Sequence, residues 1–189
     1  MEVIVPENIQ DITLEQYQKF NRLNKKENVS EYEYSKQLVS IFTNVKYNDC
    51  DKIKRSDFKG LTEDILSAMN QEAKFMNRFA MDGKEFGFIP NFDDITFSEW
   101  VDLNNYKHDD VENYHKLVSI LFRPIINNDK LGNYSIESYS GTAKYSELMK
   151  HTPMNIVNGC LVFFSSLANE LLSHSQRSTT VQQVKGIKR

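Results

Sequence analysis

One short pattern occurs twice in the chain and limits what it can fold into. Val3-Ile4-Val5-Pro6 leads to Asp11-Ile12-Thr13-Leu14, then Tyr17 and Phe20. Phe88-Ile89-Pro90 leads to Asp94-Ile95-Thr96-Phe97, then Trp100 and Leu103. Gln16 stands three residues after Thr13, and Glu99 three residues after Thr96. This is the spacing of a capping box, in which the Thr hydroxyl takes one orphan N–H of a new helix and the Gln or Glu reaches back for another. Ile12 and Ile95 sit just before the caps, where a hydrophobic staple packs. Both copies therefore predict a helix start, with each cap contributing about 1 kcal/mol.

A second echo follows in the same order. Tyr34 to Phe42 resembles Tyr114 to Phe122, and both stretches carry helical spacing of apolar residues. Two matched blocks in one order point to an internal duplication. The sequence predicts a strand over Val3–Val5 and helices over 14–24 and 31–45, the latter capped by Ser30. A connector over 46–60 then leads to a helix over 62–76. Phe79, Met81, Phe86 and Phe88 alternate around Asp82-Gly83, the pattern of a β-hairpin with a two-residue turn. Further helices are expected over 97–103 and 109–122, the latter stopped by Pro124. A strand over 134–139 follows, then a last helix with Pro153 in its first position. The expected class is α+β and predominantly helical, a duplicated strand–Pro–helix–helix unit with a small antiparallel sheet. Residues 1–76 would form the first helical unit. Residues 77–172 would hold the hairpin, the second unit and the last helix, packed with the first into one domain. Residues 173–189 would be a polar tail.

Composition narrows the function. Hydrophobic residues are 40% of the chain and charged residues 26%, enough for a packed core. A net charge of −3 with both signs interspersed gives the body no electrostatic reason to bind nucleic acid. No basic-then-apolar leader opens the sequence, and no apolar run reaches the roughly 18 residues of a membrane span. Cys50 and Cys160 sit in no metal or redox spacing, which reads as two reduced thiols of a soluble intracellular protein. No Gly-rich phosphate loop is present. His108, Asp109, Asp110 and His115 are the only cluster that suggests a metal, but no His precedes His108, so Asp109 or Asp110 reads better as a helix cap. No Ser or Cys lies in a nucleophile motif. Neither catalysis, nor a cofactor, nor a metal is expected.

The features outside the duplication point to partners. The helix from Ile156 to Leu172 is apolar over most of its circumference, and belongs in the core or against another chain. Phe163, Phe164 and Leu167 are its candidate contacts. Asp93 to Glu112 is strongly acidic, either as a solvated face or as a dock for a basic partner. Arg123, set between Phe122 and Pro124, could close the preceding helix or pair with a neighbour's carboxylate. The tail ends in Lys185, Lys188 and Arg189. It would be either solvated or an arm that orders on another subunit or on nucleic acid.

The stretches Phe88-Ile89-Pro90-Asn91-Phe92-Asp93-Asp94-Ile95-Thr96 and Leu121-Phe122-Arg123-Pro124-Ile125 are the most specific in the chain. With Val5-Pro6, Asp11-Ile12-Thr13-Leu14, Ile136-Glu137-Ser138-Tyr139, Pro153-Met154 and Phe163-Phe164, they resemble a family of short proteins. That family is encoded among the structural genes of tailed bacteriophages, many infecting Bacteroidota and including crAss-like phages. The resemblance runs from residue 4 to about 172. It implies a virion component such as a head–tail ring or connector protein, or a tail-assembly chaperone, and offers no catalytic motif. It also implies phage structural proteins as partners, self-assembly into an oligomer, and a place in the virion or the host cytoplasm. A small phage enzyme or host-directed inhibitor stands as the contrasting class.

Overall fold

In a computed structural model, residues 2–106 and 110–166 are described. The elements in chain order are α1 (Leu14–Asn24), α2 (Glu31–Phe42), α3 (Arg55–Met69), β1 (Arg78–Met81), β2 (Lys84–Phe88), α4 (Phe97–Asn105), α5 (Tyr114–Leu121), β3 (Phe122–Asn128), β4 (Tyr134–Ile136) and α6 (Ser146–Met149). A further helix, α7, begins at 154 and continues to 166, the last described position. The fold is α+β and mostly helical, with one four-stranded antiparallel sheet in the order β1-β2-β3-β4.

Both capping boxes form. Thr13 Oγ accepts from Gln16 N–H at 3.3 Å while Gln16 Oε1 accepts from Thr13 N–H at 2.9 Å. Thr96 Oγ accepts from Glu99 N–H at 3.2 Å while Thr96 N–H donates to Glu99 Oε2 at 2.7 Å. In each unit the third helical residue has a second task. Gln16 Nε2 donates to the Ile41 carbonyl at the end of α2, and Glu99 pairs with Arg123 just past the end of α5. One side chain thus caps its own helix and pins the end of the next.

Several expected boundaries move. Val3–Val5 forms no strand; Ile4 N–H is taken by the Asn44 side chain instead. Helix α2 stops at Phe42 because Thr43 turns extended and its hydroxyl donates to the Val39 carbonyl. The connector is not a loop. A 3-10 turn fills Tyr47–Lys52, and α3 runs over Arg55–Met69 rather than 62–76. Gly60 lies within α3, a tolerated cost of about 1 kcal/mol. Pro153 precedes α7 as its cap residue: it bridges to Thr13, and its carbonyl accepts from Ile156 and Val157 N–H.

The largest departure is β3. Helix α5 ends at Leu121, and Phe122-Arg123-Pro124 enters the sheet directly. A proline inside a paired strand runs against the usual rule. Here Pro124 stands opposite Phe86 on the β2 side, and its carbonyl accepts Glu137 N–H just beyond the end of β4. The strand that would have needed its missing N–H has already ended.

The hairpin turn has Asp82 at φ 52° and Gly83 at φ 70°, the left-handed pair that matches the twist of its strands. It carries Phe79, Phe86, Phe88 and Phe122 onto one buried face, with ring centroids 5.1 to 5.4 Å apart. That face joins Leu38 and Val39 of α2, Ile65 of α3, Leu117 to Leu121 of α5, and Ile156, Val157 and Cys160 of α7 in a single core. Both repeated units contribute to it.

Candidate protein-binding cleft

The first helices of the two units present equivalent residues to opposite fates. Leu14 and Phe97 both follow the capping Thr, yet Leu14 is 0% exposed and Phe97 is 81% exposed. The two helix starts also differ in their backbone neighbours, because the chain segment leading into α7 crosses only the first. Leu14 N–H donates to the Thr152 carbonyl at 2.9 Å, Glu15 N–H to the Lys150 carbonyl at 2.8 Å, and Met154 N–H to the Ile12 carbonyl at 2.8 Å. Residues 150–154 thereby form an antiparallel strap across the start of α1. Nothing among the described residues does this for α4. Its Phe97 and Ser98 N–H groups and the Ile95 carbonyl have no hydrogen-bond partner there.

Beside this bare helix start lies an open cleft of 1110 Å³. The hairpin supplies Phe88, the loop before it Phe75, the 3-10 turn before α4 Phe92, and α7 Phe163. Phe75 and Phe163 stack at 4.2 Å, and Phe88 meets both edge-on. Trp100, the single tryptophan of the chain, stands 53% exposed on the α4 wall. Among the described residues Asp93 is the one charged residue lining the cleft, and Asp94, next to it and exposed, accepts from the Asn91 side-chain amide at 2.6 Å. Phe97, Trp100 and Phe163 are exposed along it, Phe75 and Phe92 are half-buried, and Phe88 forms its buried floor; large rings exposed in this way mark sites where something else binds.

Phe163 therefore lines the cleft, and Phe164 lies behind it near the Phe92 ring. Arg123 is not part of this surface. It is buried and ion-paired with Glu99 inside the chain, with its guanidinium 5.5 Å from the Tyr139 ring. The carboxylate it pairs with is its own chain's, so the expected contact to a neighbour is replaced by an internal one. Leu167, Lys185, Lys188 and Arg189 lie outside the described residues, as do His108, Asp109 and His174. Phe75, Phe88, Phe92, Phe97 and Trp100 carry most of the cleft, and the sequence reading placed none of them there.

The acidic stretch resolves into separate tasks. Burial would push the Glu99 carboxyl up, but hydrogen bonds from the Thr96 N–H and hydroxyl, with the Arg123 guanidinium, outweigh it and hold Glu99 below the usual carboxylate range. Asp102 accepts from the Tyr139 hydroxyl, Glu112 pairs with Arg22 at 2.6 Å, and Asp110 caps the turn before α5. Asp93 lines the cleft, and Asp94 beside it holds the Asn91 side-chain amide.

The remaining candidates for chemistry are occupied within the chain. His115 is buried, with its Nδ1 3.2 Å from Gln18 Nε2, which also donates to the Val111 carbonyl. Burial first, then the nearby Lys150 charge, push its pKa down. Burial pushes both thiols up. A second cleft, of 930 Å³, lies between α2 and α3 and holds the buried Lys36. That ammonium is neutralised by Asp51 at 2.9 Å and lies 4.2 Å from the Tyr47 ring centre. Among the described residues no His, Cys, Asp and Glu gather as metal ligands, and no helix is long and apolar enough to cross a membrane. No family model, no curated protein and no solved structure matches the chain.

Proposed function

We propose that this chain is a non-catalytic assembly protein of a tailed bacteriophage, acting through protein–protein contacts as a head–tail ring or connector component. The observation that carries the contact part of the reading is the aromatic cleft beside α4. Phe97 and Trp100 stand exposed at positions where the equivalent residues of the first unit, Leu14 and Tyr17, are covered or half-covered. Large rings left in water on a helix that is otherwise well capped and well packed are better explained by a protein surface than by a small-molecule site, which would add convergent polar groups. The phage part of the reading rests on the resemblance of the Ile-Pro-Asn-Phe-Asp-Asp-Ile-Thr and Leu-Phe-Arg-Pro-Ile stretches.

Mass spectrometry of purified particles tests it. The chain is expected in multiple copies per particle. Its absence from particles, with co-purification of a tail or capsid protein from infected cells, would replace the ring component by an assembly chaperone. Absence from both would remove the assembly reading.

A further inference from the structure

The two units touch through a contact that runs in one direction within the chain. One face of α1 lies against the turn that opens α5 of the second unit. Gln18 Nε2 donates to the Val111 carbonyl at 3.0 Å and lies 3.2 Å from His115 Nδ1, and Arg22 pairs with Glu112 at 2.6 Å. The repeat places Val101 and Asn105 of α4 at the positions of Gln18 and Arg22, and Tyr32 and Ser35 of α2 at those of Glu112 and His115. Among the described residues no hydrogen bond or ion pair joins α4 to α2. We propose that a second copy of this chain supplies the missing contact: α4 of one copy lies against the start of α2 of the next, as α1 lies against the start of α5 within each. This rests on the protein-contact part of the reading above and names the partner and both faces.

Three observations support it. First, the face that α1 buries is the face that α4 exposes. Gln18 is 2% exposed and its counterpart Val101 38%, so an amide is buried where an isopropyl group is left in water. Phe97, Trp100 and Val101 stand three and four residues apart and form one helical stripe. Second, the mating surface is open as well. His115 is buried and Glu112 half-buried, while Tyr32 is 64% exposed and Ser35 is half-buried in the cleft between α2 and α3. The polar groups of the internal contact give way on these faces to Val101, Trp100 and Tyr32, and aromatic residues are what contacts between chains favour. Third, the exposed area sets the strength. At roughly 200 Å² per aromatic side chain, the exposed parts of Phe97, Trp100 and Tyr32 amount to roughly 400 Å², short of the roughly 1,200–2,000 Å² of a stable pair. A single contact is therefore weak and leaves the free chain open in dilute solution. The two faces differ, so the contact is head-to-tail, every copy can use both, and closure into a ring adds the joints together.

The test is sedimentation velocity of the full chain from about 10 µM to about 1 mM. The mean mass should rise with concentration above that of one chain. Val101→Glu spoils the α4 face and Tyr32→Gln the α2 face. Both residues are exposed, so both variants should keep the parent's melting temperature. Each variant alone should self-associate about tenfold more weakly or not at all. Mixed in equal amounts, the two should form a one-to-one pair, because the intact α4 of the Tyr32→Gln chain meets the intact α2 of the Val101→Glu chain. Growth should stop at that pair.

A parent chain that stays a monomer at every concentration overturns the proposal. So does association that survives both substitutions, or a mixture of the two variants that does not pair. Association broken by Val101→Glu and untouched by Tyr32→Gln also overturns it, since that is a symmetric pairing through α4 alone. A monomeric chain that is nevertheless abundant in particles rejects the self-contact and leaves the assembly reading standing. Head-to-tail association of a chain absent from particles and from all structural complexes keeps the contact and removes the phage assembly reading.

Discussion

Replacing Leu14 and Phe97 by alanine should have opposite consequences, although both residues follow the capping Thr of equivalent helices. Leu14 is completely buried in the core, so Leu14→Ala removes apolar atoms and leaves a cavity there. Such changes cost about 2–5 kcal/mol. With a urea slope of roughly 2 kcal/mol/M, the midpoint should fall by about 1–2.5 M. The melting temperature should drop by roughly 5–15 °C for a domain of this size. Phe97 is mostly in water, so Phe97→Ala should change stability by no more than about 0.5 kcal/mol, and alanine's better helix propensity offsets part of any loss. Urea denaturation of the two variants beside the parent chain measures both. A loss above 2 kcal/mol for Phe97→Ala would show that the ring is covered in the isolated chain. A neutral Leu14→Ala would show that the Leu14 side chain is not buried as described. Either result would refute the asymmetry between the two units.

Arg123→Met should cost about 3–5 kcal/mol, because it leaves Glu99 buried without its charge partner, and adding Glu99→Gln should recover part of the loss; a loss under 1 kcal/mol in denaturant would contradict a buried pair. Thr13→Ala and Thr96→Ala should each cost about 1 kcal/mol in thermal melts through the lost cap, and unchanged melts at both sites would mean the hydroxyls do not cap. His115 has a folded pKa below its ordinary value near 6.5, so the unfolded chain binds its proton more readily. Its contribution to stability should be full above that value and fall away as pH drops below it. His115→Gln should flatten the stability profile between pH 7 and pH 5, and an equally steep profile in the variant would contradict this assignment.

The parts of the fold that local chemistry decides were legible in the sequence. The capping boxes, the Ser30 cap and the Asp82-Gly83 hairpin each depend on a few neighbouring residues, and each formed. The parts decided by distant contacts were not. Phe122-Arg123-Pro124 carries a helix-stop signal, and its conversion into β3 depends on β2 offering an edge in the right register and β4 ending before Pro124 needs a donor. Val3–Val5 has strand composition but no strand beside it. Helix α3 begins ahead of Gly60, which reads as a break and is carried inside the helix. The cleft was only partly legible. Phe163 on the apolar last helix was readable as a contact residue. Phe97 and Trp100 stand at the repeat positions of Leu14 and Tyr17, and the repeat pattern does not distinguish an exposed helix start from a covered one. Residues 150–154 cross the first unit and not the second, and repeat equivalence alone cannot choose between the two.

The central claim is that the second unit grips another protein at the start of α4. Replacing Phe97 with a photo-crosslinking phenylalanine analogue during phage infection tests it at the position itself, with the same analogue at the buried position 14 as the control. The account predicts that position 97 crosslinks to a virion structural protein and that position 14 crosslinks only within its own chain. Crosslinks from position 97 confined to the same chain, or absent altogether, would contradict it.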